Sequence, residues 1–171
     1  VDFTNGRDLK GLETLAGIPG WVGAAIYGNA GAYGHSISER VREVRAYDGR
    51  ELRVFSNAEC RFRYRDSVFK RRKDAIIFSA VLEMLPGDHA ELQRTAGHIL
   101  QTRNEKFPPT MKCAGSVFKN ILFDTLPEPA RAGAPVREGK VPAAWFLEQV
   151  GAKGLSRGAI RVADYHANLV Y

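Results

Sequence analysis

The stretch from Leu12 to Gly34, LETLAGIPGWVGAAIYGNAGAYG, constrains the fold more than any other part of the chain. Counted from Gly11 it holds seven glycines and almost no charge. Glycine at this density weakens a plain helix or strand, because each one adds backbone freedom that folding must remove. Left-handed turns and close approach of backbone to a ligand are the usual reasons to carry it. Pro19 sits where a helix can begin, with φ preset and no N–H wasted. Trp21 to Tyr27 is small and apolar, which predicts a short buried helix whose first amides suit a phosphate. The spacing at Gly17, Gly20 and Gly23 is GxxGxxG. It is neither the GxGxxG of a Rossmann turn nor GxxxxGK[ST]. Spacing alone is equally compatible with a tight loop packed on a core. The second cluster, NAGAYG at 29–34, favours a ligand loop, so the stretch reads as a diphosphate or flavin cradle.

The rest of the chain reads as α+β. VREVRAY, 41–47, alternates apolar and polar residues and predicts a half-buried strand. Asp48-Gly49 is a hairpin turn, with Glu51 to Phe55 as the returning strand. Ser56 to Glu59 forms a capping box. Ala75 to Leu85 is the strongest strand run, ended by Pro86-Gly87-Asp88. His89 to Lys106 has helical periodicity, with Leu92, Ala96, Ile99 and Leu100 on one face, and Phe107-Pro108-Pro109 stops it. Asp8 to Ala16 is expected as a short helix and Ser36 to Arg40 as a connector. Leu126 to Val141 is expected as an exposed loop. Pro142 to Val150 should be a helix ended by Gly151, followed by short strands at 160–162 and 168–171. Strands before helices, with little βαβ alternation, favour α+β over a doubly wound sheet. A domain boundary is expected near 86, giving 1–86 and 87–171.

Composition excludes some classes. With 44% hydrophobic and 26% charged residues in 171, the chain is globular. No apolar run approaches the length of a membrane span, and VDFTNGRDLKG lacks the pattern of a signal peptide. Cys60 and Cys113 have no metal-ligand spacing and read as two free thiols in a reducing cytoplasm. The net charge of +6 suits anionic ligands. The segment 61–73 interleaves Phe62, Tyr64 and Phe69 with seven basic residues. That pattern suits single-stranded nucleic acid, or a strand and loop with aromatics inside and charges outside. Ser116, after Gly115, has no G-x-S-x-G around it, so a hydrolase triad is unsupported. Arg65 alone reads as a surface arginine or ion pair, and His166 as a hydrogen-bonded core histidine.

Five separated motifs, GLETLAGIPGWVGAAIYGNAGAYG, CRFRYRDSVFK, CAGSVFKN, AAWFLEQVGAKG and HANLVY, occur in the same order as in the UDP-N-acetylenolpyruvoylglucosamine reductases, the MurB family, which the chain resembles over nearly its whole length. The resemblance implies a bacterial, cytoplasmic oxidoreductase using FAD and NADPH. It would make UDP-N-acetylmuramate from a UDP-sugar for peptidoglycan. The implied fold is part of a flavin domain of the vanillyl-alcohol-oxidase (PCMH) type followed by a MurB-type α+β substrate domain. By the same resemblance, Arg65 and Ser116 are catalytic, Ser116 as proton donor. Gly17, Ile18, Pro19, Gly20, Val22, Gly23, Asn29, Gly31, Ala32 and Tyr33 hold the cofactor, and Lys106, Lys119 and Asn120 meet the substrate. The chain departs from the family pattern in Gly23-Ala24 for GG, in Trp21 for a small polar residue and in Ile121 for proline. It is also expected to begin inside the flavin domain and to end before a family glutamate that works with the serine. No metal, membrane or nucleic-acid partner is expected. The alternatives are a different flavin oxidoreductase on this scaffold and a basic nucleic-acid-binding module using 61–73.

Overall fold

The computed structural model describes residues 1–72, 74–113 and 115–171. Lys73, in the basic aromatic segment, and Ala114, in CAGSVFKN, lie outside the described residues. The chain forms two compact units, 1–105 and 106–171.

The first unit is built on helix α1 (Val22–Gly28), strand β1 (Val41–Tyr47), strand β2 (Leu52–Ser56), the single turn α2 (Asn57–Cys60), strand β3 (Ile76–Leu82) and the long helix α3 (His89–Lys106). β1 lies between β2 and β3, antiparallel to both. The alternation in VREVRAY does what its period demands, burying Val41, Val44 and Ala46. Val41 and Val44 are three apart, yet both face inward because the β1–β3 register shifts between Val41 and Glu43. The β1–β2 turn is closed by Asp48, whose Oδ1 accepts from the amides of Arg50 and Glu51, both at 3.1 Å. Gly49 takes φ +95° there. Ser56 caps α2 reciprocally with Glu59, as the capping box predicts. Ile26 of α1 joins Val44, Phe55, Cys60 and Phe69 in one core, where the Phe55 and Phe69 rings meet edge to face at 5.2 Å.

Three expectations differ from the structure here. Asp8 to Ala16 is not a helix. Leu9–Lys10 pairs with Leu85–Pro86, and a 3₁₀ turn spans Glu13–Leu15. Asp8 (φ 57°) and Gly11 (φ 131°) both stand in backbone conformations that break a helix. In α3, Leu92, Ala96 and Ile99 are buried as expected, but Leu100 is exposed. The helix belongs to the first compact unit, where Ala96 and Ile99 pack with Ala16. The division between units therefore falls at 105/106, where the sequence reading puts it near 86.

The second unit carries helix α4 (Ala143–Gln149), strand β4 (Ile160–Ala163) and strand β5 (His166–Val170). β4 is antiparallel to β5 and to the short strand Ser156–Arg157. Pro142 stands at the N-cap of α4, and Gly151 beyond its end has φ +69°. Val141, Ala143, Ala144, Ala163, Ala167 and Leu169 are buried. The segment 126–141 is mostly exposed, with one helical turn at Glu128–Arg131 and a short pairing of Lys140–Val141 with Ile121–Leu122.

Candidate functional site

In the first unit a cavity of about 280 Å³ opens beside the glycine-rich loop. Ile18, Pro19, Gly20 and Val22 line it. Trp21, Ala24, Ala25 and Ala30 line it as well. Trp21 stands at the N-cap of α1 and is 87% exposed. Gly20 has φ +125°, and a Cβ built there meets nothing within 4 Å.

The other glycines answer to the protein itself. A Cβ on Gly17 would stand 2.9 Å from Leu100 Cδ1, so the exposed leucine of α3 lies over that glycine. A Cβ on Gly31 would stand 2.6 Å from the carbonyl oxygen of His35. Gly17 also takes φ +70°, which favours glycine there, while at Gly31 the bare backbone is explained by the close carbonyl.

The second glycine cluster is interlocked with YRDS. Residues 63–66 form a tight turn in which Arg63 and Asp66 bridge and Arg65 takes φ 51°. The Arg65 guanidinium donates to the carbonyls of Asn29 (3.4 Å) and Gly31, and it stacks 5.3 Å from the Tyr64 ring centroid. Asn29, buried with φ 45°, donates from Nδ2 to the Arg63 carbonyl at 2.9 Å, and its Oδ1 accepts from the Ser38 amide. Ser67 Oγ donates to the Tyr27 carbonyl at 2.8 Å. Ala32 pairs with His35 in the turn that follows, with Tyr33 at φ 52°. Arg65, Asn29 and Gly31 are thus brought together, next to Ala30 of the cavity wall. Gly23, Ala32 and Tyr33 are not among the residues lining that cavity.

Two of the three aromatics of 61–73 are used inside: Phe69 is fully buried and Phe62 packs on the core, while Tyr64 is half-buried. Cys60 is also in the core, where burial pushes its thiol up to about 11. Cys60 and Cys113 are both free thiols.

In the second unit, Ser116 is exposed and faces Leu169 of β5 in an isolated antiparallel bridge. Lys119 is exposed. Asn120 accepts the Ala143 amide on Oδ1 at 3.3 Å, at the start of α4. Lys106 places Nζ 5.4 Å from the Phe107 ring centroid, and its carbonyl accepts from Tyr165 Oη at 2.7 Å. His166 is half-buried, and its Nδ1 accepts from the Asn168 amide at 3.2 Å. Burial lowers the His166 pKa, and the charge of Lys106 acts in the same direction. Arg65 and Ser116 belong to different units. Among the described residues, no group of three His, Cys, Asp or Glu side chains could hold a metal, and no helix is long and apolar enough to cross a membrane.

Residues 107–171 match the family model of the UDP-N-acetylenolpyruvoylglucosamine reductase C-terminal domain. The UDP-N-acetylenolpyruvoylglucosamine reductase of Solibacter usitatus (strain Ellin6076) is 70% identical over 174 residues, which take in 100% of this chain and 56% of the relative. Residues 107–171 are the C-terminal domain of the UDP-N-acetylenolpyruvoylglucosamine reductase family. The reductase of that name from Anoxybacillus flavithermus is 34% identical over 165 residues, 96% of this chain and 49% of its own length. The crystal structure of UDP-N-acetylenolpyruvylglucosamine reductase (MurB) from Thermus caldophilus matches with a TM-score of 0.76 at 26% identity, covering 99% of this chain and 56% of that one. The chain therefore spans about half the length of these MurB-family relatives.

Proposed function

We propose that this chain carries working parts of a UDP-N-acetylenolpyruvoylglucosamine reductase, which in the cytoplasm makes UDP-N-acetylmuramate for peptidoglycan with FAD and NADPH. The observation that carries the reading is the 70% identity, over 100% of this chain and 56% of the relative, to a reductase of that name.

The first unit fits part of a flavin. Its cavity is walled by Leu12, Leu15, Ile18, Pro19 and the alanines of α1, and Gly20 leaves open space where a side chain would stand. Flat, apolar walls of this kind suit a planar ring system. About 280 Å³ is at the lower edge of small-molecule sites, so this cavity would take one portion of a dinucleotide. A bound flavin would supply the hydride chemistry, from NADPH to the methylene carbon of the enolpyruvyl group.

The chain supplies charge and a proton. Once the methylene carbon is saturated, its neighbour carries enolate charge that a cation must stabilise. Arg65 is the candidate, held in place by its bonds to the carbonyls of Asn29 and Gly31. The Ser116 hydroxyl delivers the proton to that neighbouring carbon, completing addition of H⁻ and H⁺ across the double bond. A serine alkoxide is a strong base, so Ser116 must be reprotonated by a neighbour as it acts. Lys106 and Lys119 would offer charge for the anionic groups of a UDP-sugar, and Asn120, which follows Lys119, accepts the Ala143 amide at the start of α4.

The test uses the full-length protein. It should purify with bound flavin and oxidise NADPH only when the enolpyruvyl sugar nucleotide is present. Ser116→Ala should keep flavin reduction by NADPH and slow reoxidation by the sugar nucleotide by about 100-fold or more. Equal loss of both half-reactions would contradict the assigned role.

A further inference from the structure

HANLVY closes the chain, and no residue in it has a function in the reaction above. Asn168, at its centre, is 2% exposed, and all of its polar groups are engaged. Its Oδ1 accepts the Phe118 amide at 2.8 Å and its Nδ2 donates to the Phe118 carbonyl at 2.9 Å. Its own carbonyl accepts the Val117 amide at 3.0 Å, and its own amide donates to His166 Nδ1. Three of these four bonds end on the two residues that follow Ser116.

Side-chain packing does little to hold that segment. Val117 is 56% and Phe118 58% exposed, so burying them cannot fix where Ser116 lies. The main chain here is not part of a regular ladder either, because the Ser116–Leu169 bridge is isolated. Beyond the one main-chain bond from the Val117 amide, the Asn168 carboxamide holds the segment. It offers an acceptor and a donor side by side, matching the N–H and C=O of one residue. Aspartate would place a carboxylate against the Phe118 carbonyl, and leucine would leave both backbone groups unpaired.

We propose that Asn168 is a positioning residue for Ser116: it straps the Val117–Phe118 main chain to β5 and so sets where the serine hydroxyl meets the substrate. The inference rests on the reductase reading given above. Displacing a reacting group by about 1 Å costs on the order of 100-fold in rate, so a strap two residues from the hydroxyl controls the proton step strongly.

The experiment is a double-mutant cycle on the flavin-loaded full-length protein, with each half-reaction followed by flavin absorbance. Asn168→Ala should leave flavin reduction by NADPH within about twofold and slow reoxidation by the sugar nucleotide by about 10- to 100-fold. The solvent deuterium isotope effect on reoxidation should rise. In a Ser116→Ala background the same substitution should change reoxidation by less than about twofold, because it acts through the serine. Should Asn168→Ala not fold, Asn168→Asp, which keeps the acceptor for the Phe118 amide and loses the donor, is read in the same cycle. Additive losses, or equal slowing of both half-reactions, overturn the role of Asn168. A wild-type protein that oxidises no NADPH on the sugar nucleotide overturns the reductase reading instead.

Discussion

His166 shows how one buried polar contact links to solution behaviour. Its Nδ1 can accept the Asn168 amide only while the imidazole is neutral at that nitrogen. Burial lowers its pKa, and Lys106 and Lys153 add to the effect while Glu148 opposes it. In the unfolded chain the imidazole protonates near the usual value of about 6.5. As pH falls below that, the unfolded state binds a proton that the folded state still refuses. Stability therefore drops between about pH 6.5 and the lowered folded value, and above that window this group contributes no slope. Melting curves of the full-length protein across about pH 5 to 8 should show wild type losing stability towards acid faster than His166→Gln. Identical slopes in the two proteins would show that His166 is not held neutral by the fold.

At the scale of elements, sequence reading succeeds where the signal is local. The β1–β2 hairpin is legible from period-two alternation around Asp48-Gly49, the α2 capping box from Ser56 and Glu59, and α3 from its 3.6 period. It fails where the deciding partner is distant in the chain. Leu9–Lys10 pairs with Leu85–Pro86, and nothing near residue 9 announces it. The same holds for the candidate site. Ile18, Pro19, Gly20 and Val22 do line a cavity, but Gly17 stands at φ +70° and Gly31 is bare because the His35 carbonyl comes close. Asn168 carries no sequence signal of its role, since its partner lies 50 residues away. The glycines of the second cluster are separable by experiment. In Gly31→Ala the new Cβ meets the His35 carbonyl at 2.6 Å and Ser36 Cβ at 3.1 Å, so the turn and its bonds to Arg65 must shift. The expected cost is about 1–3 kcal/mol. Gly28→Ala, in the last turn of α1 with nothing within 4 Å, should instead stabilise by about 0.5–1 kcal/mol. Denaturant midpoints at constant slope measure both; equal effects would mean the two glycines are held for the same reason.

On the scale of the whole molecule, the first unit leaves one sheet face without cover. Alternation in β1 sends Val44 and Ala46 inward and Glu43 and Arg45 outward, but β2 and β3 send Leu52, Val54, Ile76, Phe78 and Val81 outward beside them. Among the described residues β2 and β3 are also the edges of their sheet. Apolar faces and open edges together favour pairing with another molecule. The net charge of +6 opposes association only over the short range that salt permits. A protein of these 171 residues should therefore self-associate, more strongly as ionic strength rises. Val54→Lys and Phe78→Lys each replace an exposed side chain, so each should change folding stability by no more than about 0.5 kcal/mol. Together they place two like charges on the face and should shift the sedimentation profile towards monomer with little change in melting temperature. If the pair leaves association untouched, the contact lies elsewhere. If it lowers the melting temperature steeply, that face is packed within the unit and is not the surface that draws copies together.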